Sequence, residues 1–396
     1  MMTLRTAAVG SLVFMLSACG GNVSLGGKGS QPSDAAGATD GADAASSSPG
    51  KRVLKRPGFT FGSLITAGGY LYFAGTGSTG SDGSYPQGIY RCRKADCEAT
   101  FEQFVDGNIT FLQAFDDRLG FTKWVDESWG FSSVALSNGK DEQVAIQGLP
   151  SGSSVPSLFH DGSVFFSLAQ DRGLYRCALP SCADNPERIS RTTGRTTVTP
   201  RADGDTLFWS EYSFIFRAAR YGAEPAVAHL PDDALSEAPA SSMDPDHLEG
   251  DQVESIDVGN GRLYANVGRS SSGLPCDSFC PHDLVSWPVA GGTAQHLFTS
   301  DGRLSEMQIF DGELVWLEPS KTSRSVDVAT VSSCRIEACN ETRRDLGEAT
   351  FEHANVVADD QDVYWVEAEA LPPSDNLPSG GFSMNQIRRA PRLPAP

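Results

Sequence analysis

An aromatic-rich segment recurs along the chain and constrains its fold more than any other feature. Each copy is dominated by the aromatic and aliphatic side chains that favour β-strands. The copies are YLYFAG (70–75), RLGFTKW (118–124), SVFFSL (163–168), TLFWSE (206–211), RLYANV (262–267), ELVWLE (313–318) and DVYWVE (362–367). Their first residues lie 43 to 56 residues apart. Such a repeat indicates similar units that pack against their neighbours.

Each aromatic segment lies in a unit of several predicted strands. A turn signal such as Asp161-Gly162, Asn260-Gly261 or Asp311-Gly312 precedes the segment, and these pairs supply the positive φ angles of tight hairpins. Shorter apolar strands, such as FLQAF, SIDV and MQIF, come before the turns. Further strands follow, as GIYRC and FEQFV do in the first unit. The pattern therefore predicts units of four antiparallel strands without a helix.

These units predict an all-β fold, a seven-bladed β-propeller of four-stranded antiparallel blades. Six blades is the alternative, because the second unit diverges most from the others. The last unit lacks a clear fourth strand, whereas KRVLKRP (51–57) precedes the first unit without a partner. We expect this N-terminal strand to complete the last blade, so that residues 51–396 form one closed ring.

One connection is much longer than the others. Residues 230–255 are acidic and rich in proline and serine, and we interpret them as a solvated loop inserted between the fourth and fifth blades. The many carboxylates make a cation-binding loop the alternative. The regular aspartate spacing of a calcium loop is missing, however, which favours the first interpretation.

The N-terminus has the pattern of an export signal. An apolar run that ends near Leu16 follows Arg5, and it is too short to span a bilayer as a permanent helix. The sequence Leu-Ser-Ala-Cys that ends at Cys19 resembles the bacterial lipobox, which implies removal of residues 1–18 and lipid attachment at Cys19. An ordinary secretory signal is the alternative. Because no aspartate follows the cysteine, the resemblance favours the outer membrane.

The segment after the predicted cleavage point has the composition of a flexible tether. Residues 19–50 consist mainly of glycine, alanine, serine and aspartate, which bury too little apolar surface to offset chain entropy. Their random-coil reach is roughly 30 Å. We therefore expect an exported protein that is lipid-anchored to the cell envelope, with its domain facing the periplasm or the surface.

The charge balance excludes one class of partner. The formal net charge is −19, and phosphate backbones are bound by basic surfaces. We therefore expect no nucleic acid among the partners. Apart from the lipid-anchored membrane, the acidity favours a protein or another ligand with basic or cationic groups.

The cysteines fall into close pairs once Cys19 is assigned to lipid. The eight others form the pairs Cys92/Cys97, Cys177/Cys182, Cys276/Cys280 and Cys334/Cys339. Most lie where a third strand turns into a fourth, and facing residues of such hairpins have a Cα separation that suits a disulfide. A zinc site or a redox couple is the alternative, but the pairs lie in different blades and no C-x-x-C occurs. We predict structural disulfides.

Acidic residues follow the tryptophans at the ends of several aromatic strands. They are Asp126, Glu127, Glu211, Glu318 and Glu367. The loop after the second strand opens on the side where propellers usually bind ligands, so these acids are candidates for a ring that attracts a cation or a basic partner. The alternative is that they are ordinary exposed strand ends in an acidic protein.

The sequence contains no recognisable catalytic motif. G-x-S-x-G and H-E-x-x-H are absent, and GTGSTG (75–80) precedes a loop and a strand instead of the helix that a dinucleotide site requires. The six histidines are scattered over different units. We therefore predict no catalytic residue, no metal site and no cofactor, and a non-enzymatic role is favoured.

The lipobox, the seven units and the repeated Y-R-C hairpins together resemble bacterial lipoproteins of the β-propeller repeat type. The resemblance covers residues 1–19 and 51–396 and implies export and architecture, but no specific activity. Our first hypothesis is a binding or scaffold module for a protein or an extracellular ligand. The alternatives are a propeller hydrolase or lyase that acts on an envelope or extracellular polymer, and a structural subunit of an envelope assembly.

Overall fold

The computed structural model describes the chain between residues 50 and 394 with internal gaps. The described residues are 50–77, 86–149, 157–167, 173–180, 182, 186–189, 200–211, 214–219, 226–229, 238–239, 252–268, 281–300, 302, 304–319, 328–350, 356–371 and 381–394. The predicted signal, Cys19 and nearly all of the predicted tether lie outside them, as does most of the predicted inserted loop.

The first three sheets follow one another along the chain, after the strand β1 (Lys51–Lys55). The first sheet contains β2 (Phe59–Ala67), β3 (Tyr70–Gly77), β4 (Gly88–Arg93) and β5 (Glu102–Asp106), with a short helix α1 (Cys97–Thr100) before β5. The second contains β6 (Asn108–Phe115), β7 (Arg118–Val125), β8 (Ser128–Ala135) and β9 (Gln143–Leu149). The third contains β10 (Ser157–His160), β11 (Ser163–Ser167), β12 (Leu174–Ala178) and β13 (Glu187–Arg188).

Four more sheets follow in the same order. The fourth contains β14 (Arg201–Asp203), β15 (Thr206–Glu211), β16 (Phe214–Ala219), β17 (Ala226–His229) and β18 (Ala238–Pro239). The fifth contains β19 (Gln252–Gly259), β20 (Arg262–Gly268), β21 (His282–Pro288) and β22 (Gln295–Ser300). The sixth contains β23 (Ser305–Phe310), β24 (Glu313–Pro319), β25 (Val328–Arg335) and β26 (Arg344–Thr350), with a 3₁₀ turn (Ile336–Ala338) and α2 (Cys339–Thr342) before β26. The seventh contains β27 (Val356–Ala358), β28 (Asp362–Leu371) and β29 (Gly381–Pro391).

The sheet pattern confirms the predicted all-β propeller. Six of the sheets are blades of four antiparallel strands, and six is the blade count of the alternative prediction. The fourth repeat forms a further sheet, which has five strands. Its extra strand β18 pairs with β17 and comes from the predicted inserted loop. The first strands of successive sheets contact one another, so they are the inner strands of the ring and the fourth strands lie outside.

The ring closes through the N-terminal strand, as the sequence predicts. β1 pairs antiparallel with β29, with Lys51 opposite Arg389 and Lys55 opposite Gln386. Leu54 is fully buried in a cluster that joins side chains of the first sheet, such as Phe61, to those of the seventh. The two ends of the domain therefore share one blade and one hydrophobic core.

Aromatic residues of the second strands fill the space between neighbouring sheets. Trp316 packs against Phe298 of the fifth sheet, with 5.3 Å between ring centroids. Trp365 lies in a cluster with Val315 of the sixth sheet, and Trp209 lies in one with Phe165 of the third. The repeated aromatic segment therefore encodes contact between blades, since a single sheet cannot bury both of its faces.

The hairpin turns carry the backbone angles that their sequences predict. Asp161 and Gly162 have φ of 42° and 64°, and Asn260 and Gly261 have φ of 53° and 68°. These values are typical of a type I′ turn, whose twist matches that of the strands it connects. The turns place the first two strands of each sheet in the register that sends their apolar faces into the core.

Candidate functional site on the inner strands

Polar side chains on the inner strands bridge one sheet to the next. We call the boundary between two neighbouring sheets a seam, and the next three hydrogen-bond contacts join the first four sheets in order. The Ser63 hydroxyl accepts a hydrogen bond from the amide of Leu112 at 3.2 Å. The Gln113 side chain donates to the carbonyl of Phe159 at 2.8 Å and accepts from its amide at 2.7 Å. The His160 ring donates from Nε2 to the carbonyl of Gly204 at 2.9 Å.

The remaining seams are bridged in the same way. Arg201 of β14 donates from Nε to Oδ1 of Asp257 in β19 at 2.9 Å. Oδ2 of Asp257 accepts from the amide of Ile309 in β23 at 2.6 Å. The Gln308 side chain then accepts from the amide of Ala358 in β27 at 2.9 Å. The last seam is bridged outside the inner strands, by an ion pair of 2.5 Å between Lys94, which follows β4, and Asp359, which follows β27. A polar bridge therefore spans every seam.

Charged side chains form the bridges between the inner strands of the fourth, fifth and sixth sheets, which we call the charged sector. Neutral groups form the bridges between the other inner strands. Arg201 and Asp257 form an ion pair there, and their side chains are 31% and 12% exposed. Burial raises the pKa of the Asp257 carboxyl, while Arg201 and the amide of Ile309 act in the opposite direction. One carboxylate therefore links three blades, with Arg201 supplying the compensating charge that burial makes necessary.

Glu306 extends this charged sector to a position that remains open to solvent. Its φ of 48° is in the left-handed region, which costs a residue other than glycine about 1 kcal/mol or more. It lies within a β-bulge of β23, between Ser305 and Gln308. A bulge re-aims the side chain of its extra residue, so the backbone presents Glu306 outside the regular ladder.

The Glu306 carboxyl titrates near neutrality. The surrounding protein raises its pKa from 4.5 to about 7 by desolvation, and the positive charge of Arg201 acts against this rise. The Glu306 side chain is thus accessible to water and yet close to enough protein to be partly desolvated, on the first strand of its sheet. We therefore regard Arg201, Asp257 and Glu306, the "axial triad", as the candidate functional site.

The axial triad can perform two kinds of chemistry. An ionised Glu306 attracts a cation or an amine, and a ligand with positive charge also lowers the pKa of the carboxyl that it binds. A carboxyl with a pKa near the working pH also suits general acid–base catalysis. Arg201 can donate hydrogen bonds, although its Nε is already used by Asp257.

The structure places two of the predicted ligand-face acids on the surface. Asp126 and Glu127 are exposed in the tight turn between β7 and β8, with φ of 48° and 62°. Trp124 and Trp129 face each other beside this turn, with 4.8 Å between ring centroids. A ligand role for these two acids stays a prediction.

Two other predicted acids lie in ion pairs. Glu318 is 3% exposed and accepts hydrogen bonds from Arg343, from Ser332 at 2.9 Å and from Ser300 at 3.3 Å. Glu367 accepts from Arg388 at 2.8 Å. Glu318 thus joins the fifth and sixth sheets and contributes to their packing. The side chain of Glu211 lies outside the described residues.

Three of the predicted disulfides are present. They join Cys92 to Cys97, Cys177 to Cys182 and Cys334 to Cys339. The first cysteine of each pair lies in the third strand of its sheet and the second follows that strand, at the end where the turns between first and second strands also lie. We call this end of the sheets the disulfide side. Cys276, Cys280 and Cys19 lie outside the described residues, and their roles stay predictions.

A groove of about 460 Å³ lies on the disulfide side, lined by turns of the fifth to seventh sheets. Its most buried acid, Glu313, accepts hydrogen bonds from Arg344 at 3.2 Å, from Arg392 at 3.0 Å and from the amide of Leu393 at 3.1 Å. Arg392 also donates to the carbonyl of Phe310 at 2.6 Å. These contacts fasten the C-terminal segment to the sixth sheet, so the charges at the base of the groove serve the fold.

The sequence analysis missed the axial triad because its members lie in short strands that were assigned from their apolar residues. A signal was nevertheless present: Gln113, Asp257 and Gln308 interrupt the apolar strands FLQAF, SIDV and MQIF three residues before the turn. Arg201 stands three residues before Gly204 in the fourth unit. A polar residue at the same place in several repeats indicates a shared contact, which here is the bridge between blades.

Two other kinds of feature are absent from the described ranges. No group of three or more histidine, cysteine, aspartate or glutamate side chains there has the arrangement of a metal site. No helix in the same ranges is long and apolar enough to cross a membrane.

Comparison with protein families and with curated proteins finds no match to this sequence. Among solved structures, an oligogalacturonate lyase in complex with manganese is similar over 87% of this chain and 92% of that chain, with 14% identity and a TM-score of 0.53. The extracellular domain of a protein described as a one-component system, from B. thetaiotaomicron, is similar over 87% of this chain, with 8% identity and a TM-score of 0.50.

Prolyl endopeptidases give a similar result, with 14% identity over 86% of this chain and a TM-score of 0.49. This chain spans 40% of the one-component system protein and 47% of the endopeptidase. At such low identities the likeness shows the propeller fold alone.

Proposed function

We propose that this protein is a cell-envelope lipoprotein whose propeller binds a ligand or protein partner through a basic group. The observation that carries the binding proposal is the axial triad, in which a strained bulge presents the solvent-accessible Glu306 carboxyl to the charge of Arg201, the partner of Asp257. Strained backbone conformations of this kind cluster at functional sites, so the strain at Glu306 favours a function for its carboxylate.

The disulfides support the proposed compartment, and the N-terminal sequence supports the proposed lipid anchor. Three disulfides are typical of an extracellular or periplasmic protein. The lipobox supports lipid attachment at Cys19, and β1 gives the geometry: Lys51, at its start, lies opposite Arg389 near the disulfide-side end of β29. The anchor would therefore hold the disulfide side toward the membrane and leave the opposite side open to partners.

The binding proposal is tested with a fluorescein-labelled tetralysine peptide as the probe. We expect Glu306→Gln to weaken its binding by roughly tenfold, because one desolvated charge pair is worth more than about 1 kcal/mol. The wild type should also bind more tightly as the pH rises through about 7, where the carboxyl ionises. Glu337→Gln, at an exposed acid of the disulfide side, is the matched control. Equal affinities of both variants and the wild type would refute the axial site.

The anchor is tested separately in cells. Labelled palmitate should appear in the wild-type chain and be absent from Cys19→Ser. The wild type should also fractionate with membranes after export. Palmitate incorporation that survives in Cys19→Ser would show that the lipid is attached elsewhere. An absence of label in both proteins would leave an ordinary secretory signal as the explanation of residues 1–18.

A propeller hydrolase or lyase is the second candidate, and the near-neutral pKa of Glu306 favours it. A carboxyl with such a pKa can take up and release a proton during turnover at neutral pH. Oligogalacturonate is a suitable first substrate, because a lyase of that specificity shares the fold. Formation of unsaturated product by the wild type with manganese, and its loss in Glu306→Gln, is the expected result. No product with either protein would rule out this substrate class.

A further inference from the structure

Positive charge is concentrated on one outer strand of this acidic protein. β1 carries Lys51, Arg52 and Lys55 and has no acidic residue. The side chains of Lys51 and Arg52 are exposed, and among the described residues no acidic side chain pairs with either of them. This strand therefore departs from the surface as a whole, whose charge sums to −19.

The register of the closing blade adds further cations at the same place. Lys51 lies opposite Arg389 and Arg52 lies opposite Arg388, although like charges that face each other across two strands destabilise a sheet. Arg388 pairs with Glu367 at 2.8 Å, and Arg389 pairs with Asp362 at 3.3 Å. These acids compensate the two arginines of β29, which leaves the two cations of β1 as the uncompensated pair.

Protection of a sheet edge accounts for part of this charge but not for its density. Lysine on an outer strand prevents edge-to-edge association, and any sheet edge has this need. Among the other outer strands that the structure describes, none carries more than one lysine or arginine, and β13 and β26, which carry one arginine each, also carry acids. The basic strand is the one that directly follows the predicted tether.

We propose that Lys51 and Arg52 form a docking surface for anionic lipid headgroups, which holds the disulfide side of the propeller against the membrane. The proposal rests on the anchor described under Proposed function for its biological setting. The tether ends at Gly50, whose carbonyl accepts a hydrogen bond from Arg388 at 2.9 Å, so the basic strand is the first part of the domain that an anchored chain presents to the bilayer.

Charge and reach support lipid as the partner. The tether predicted for residues 19–50 would give β1 an average reach of roughly 30 Å from the bilayer, so that contact of β1 with anionic headgroups would be frequent. The rest of the domain is acidic and is repelled by such a surface. Attraction at β1 combined with repulsion elsewhere orients the domain, which lipid attachment at Cys19 by itself would not.

The test measures sedimentation of the mature chain with vesicles, using Cys19→Ser so that no lipid is attached. We expect binding to equimolar phosphatidylglycerol and phosphatidylcholine at about 50 mM salt, little binding to phosphatidylcholine alone, and release as salt screens the charges. Lys51→Gln and Arg52→Gln should each lower the partition coefficient several-fold, and the double variant roughly tenfold or more. Arg188→Gln, at an exposed arginine of the outer strand β13 near the end away from the disulfide side, is the matched control and should bind like the wild type.

The outcomes separate this proposal from the anchor. Failure of the wild type to bind the anionic vesicles, or equal binding by the double variant, overturns the docking surface and leaves lipidation of Cys19 unaffected. Equal binding to neutral vesicles also overturns it, because the attraction would then not be electrostatic. Conversely, binding with the expected salt dependence supports the surface even if palmitate labelling shows another mode of attachment.

Discussion

At the residue scale, the carboxylates of this protein divide by what surrounds them. Glu318 and Glu313 are almost fully buried and each accepts hydrogen bonds from two or three donors. Glu306 lies on the inner surface and remains accessible to water. Buried, fully paired acids contribute to packing between blades, whereas an accessible acid with a perturbed pKa has the properties of a binding group.

Replacing Glu318 separates these two roles. Glu318→Gln removes the charge that balances Arg343 and weakens the hydrogen bonds from Ser332 and Ser300. We expect a loss of about 2–4 kcal/mol in the free energy of unfolding, since breaking a buried pair leaves one charge uncompensated. Urea unfolding followed by tryptophan fluorescence measures this loss. Glu341→Gln, at an exposed acid, is the control, and a stability change as small as that of the control would contradict the structural role.

The titration of Glu306 predicts how stability depends on pH. Because its pKa is about 7 in the folded protein and 4.5 as an isolated group, the folded state binds more protons than the unfolded state between these values. The contribution of this group to stability is therefore largest near pH 4.5 and falls as the pH rises to about 7. Solvent screening limits the effect to about 1 kcal/mol.

The measurement compares unfolding free energies of the wild type and Glu306→Gln at acidic and neutral pH. The wild type should lose stability relative to the variant as the pH rises, whereas the contribution of Asp257 is common to both proteins and cancels in the difference. A difference that stays constant with pH would show that the Glu306 carboxyl titrates normally.

At the element scale, strands and turns follow from the sequence because their signals are local. Asp161-Gly162 specifies a tight turn wherever it occurs, and the aromatic segments form the second strands that fill the seams between sheets. The prediction of units without a helix is wrong at two places, where the short helices Cys97–Thr100 and Cys339–Thr342 form. Each begins at the second cysteine of a disulfide, and four residues are too few for the apolar periodicity that identifies a helix.

The candidate site was less accessible to prediction than the strands. Glu306 acquires its exposure from a bulge in β23 and its raised pKa from desolvation by the surrounding protein, which the charge of Arg201, about a hundred residues away along the chain, opposes. No local pattern encodes that proximity. Glu318 illustrates the opposite case: its position after a tryptophan was visible in the sequence, but its burial depends on Ser300 and Arg343 of other elements.

The disulfides stabilise the turns that connect third and fourth strands. Cys92 and Cys97 close a short loop, and Asp96 in that loop caps the following helix by accepting from the amide of Ala99. Replacing both cysteines by serine should cost about 2 kcal/mol, mainly because the unfolded chain regains the entropy of the open loop. Urea unfolding of the double variant and of the wild type, each with and without reductant, measures the loss. An unfolding midpoint of the double variant equal to that of the oxidised wild type would contradict it.

At the scale of the whole molecule, stability depends on closing the ring. Every seam between sheets is joined by a polar bridge, and the seam between the seventh and first sheets has Lys94 and Asp359. Hydrogen bonds to Lys94 and to backbone amides lower the pKa of Asp359 despite its partial burial. That bridge therefore weakens only when the pH falls through this lowered pKa, well into the acidic range.

Replacing Leu54 tests directly whether pairing of β1 with the last blade stabilises the ring. Its side chain is fully buried between the first and seventh sheets, although it belongs to a five-residue strand at the very start of the domain. Leu54→Ala should lower the free energy of unfolding by about 2–5 kcal/mol, through lost burial and the cavity that remains. Hydrogen exchange should increase first in β1 and β29, and then in the sheets on either side of the opened seam. Val144→Ala, at an exposed apolar residue of the second sheet, should change neither. If Leu54→Ala had the same stability and hydrogen exchange as this control, pairing of the N-terminal strand with the last blade would not stabilise the ring, and its stability would come from the other seams.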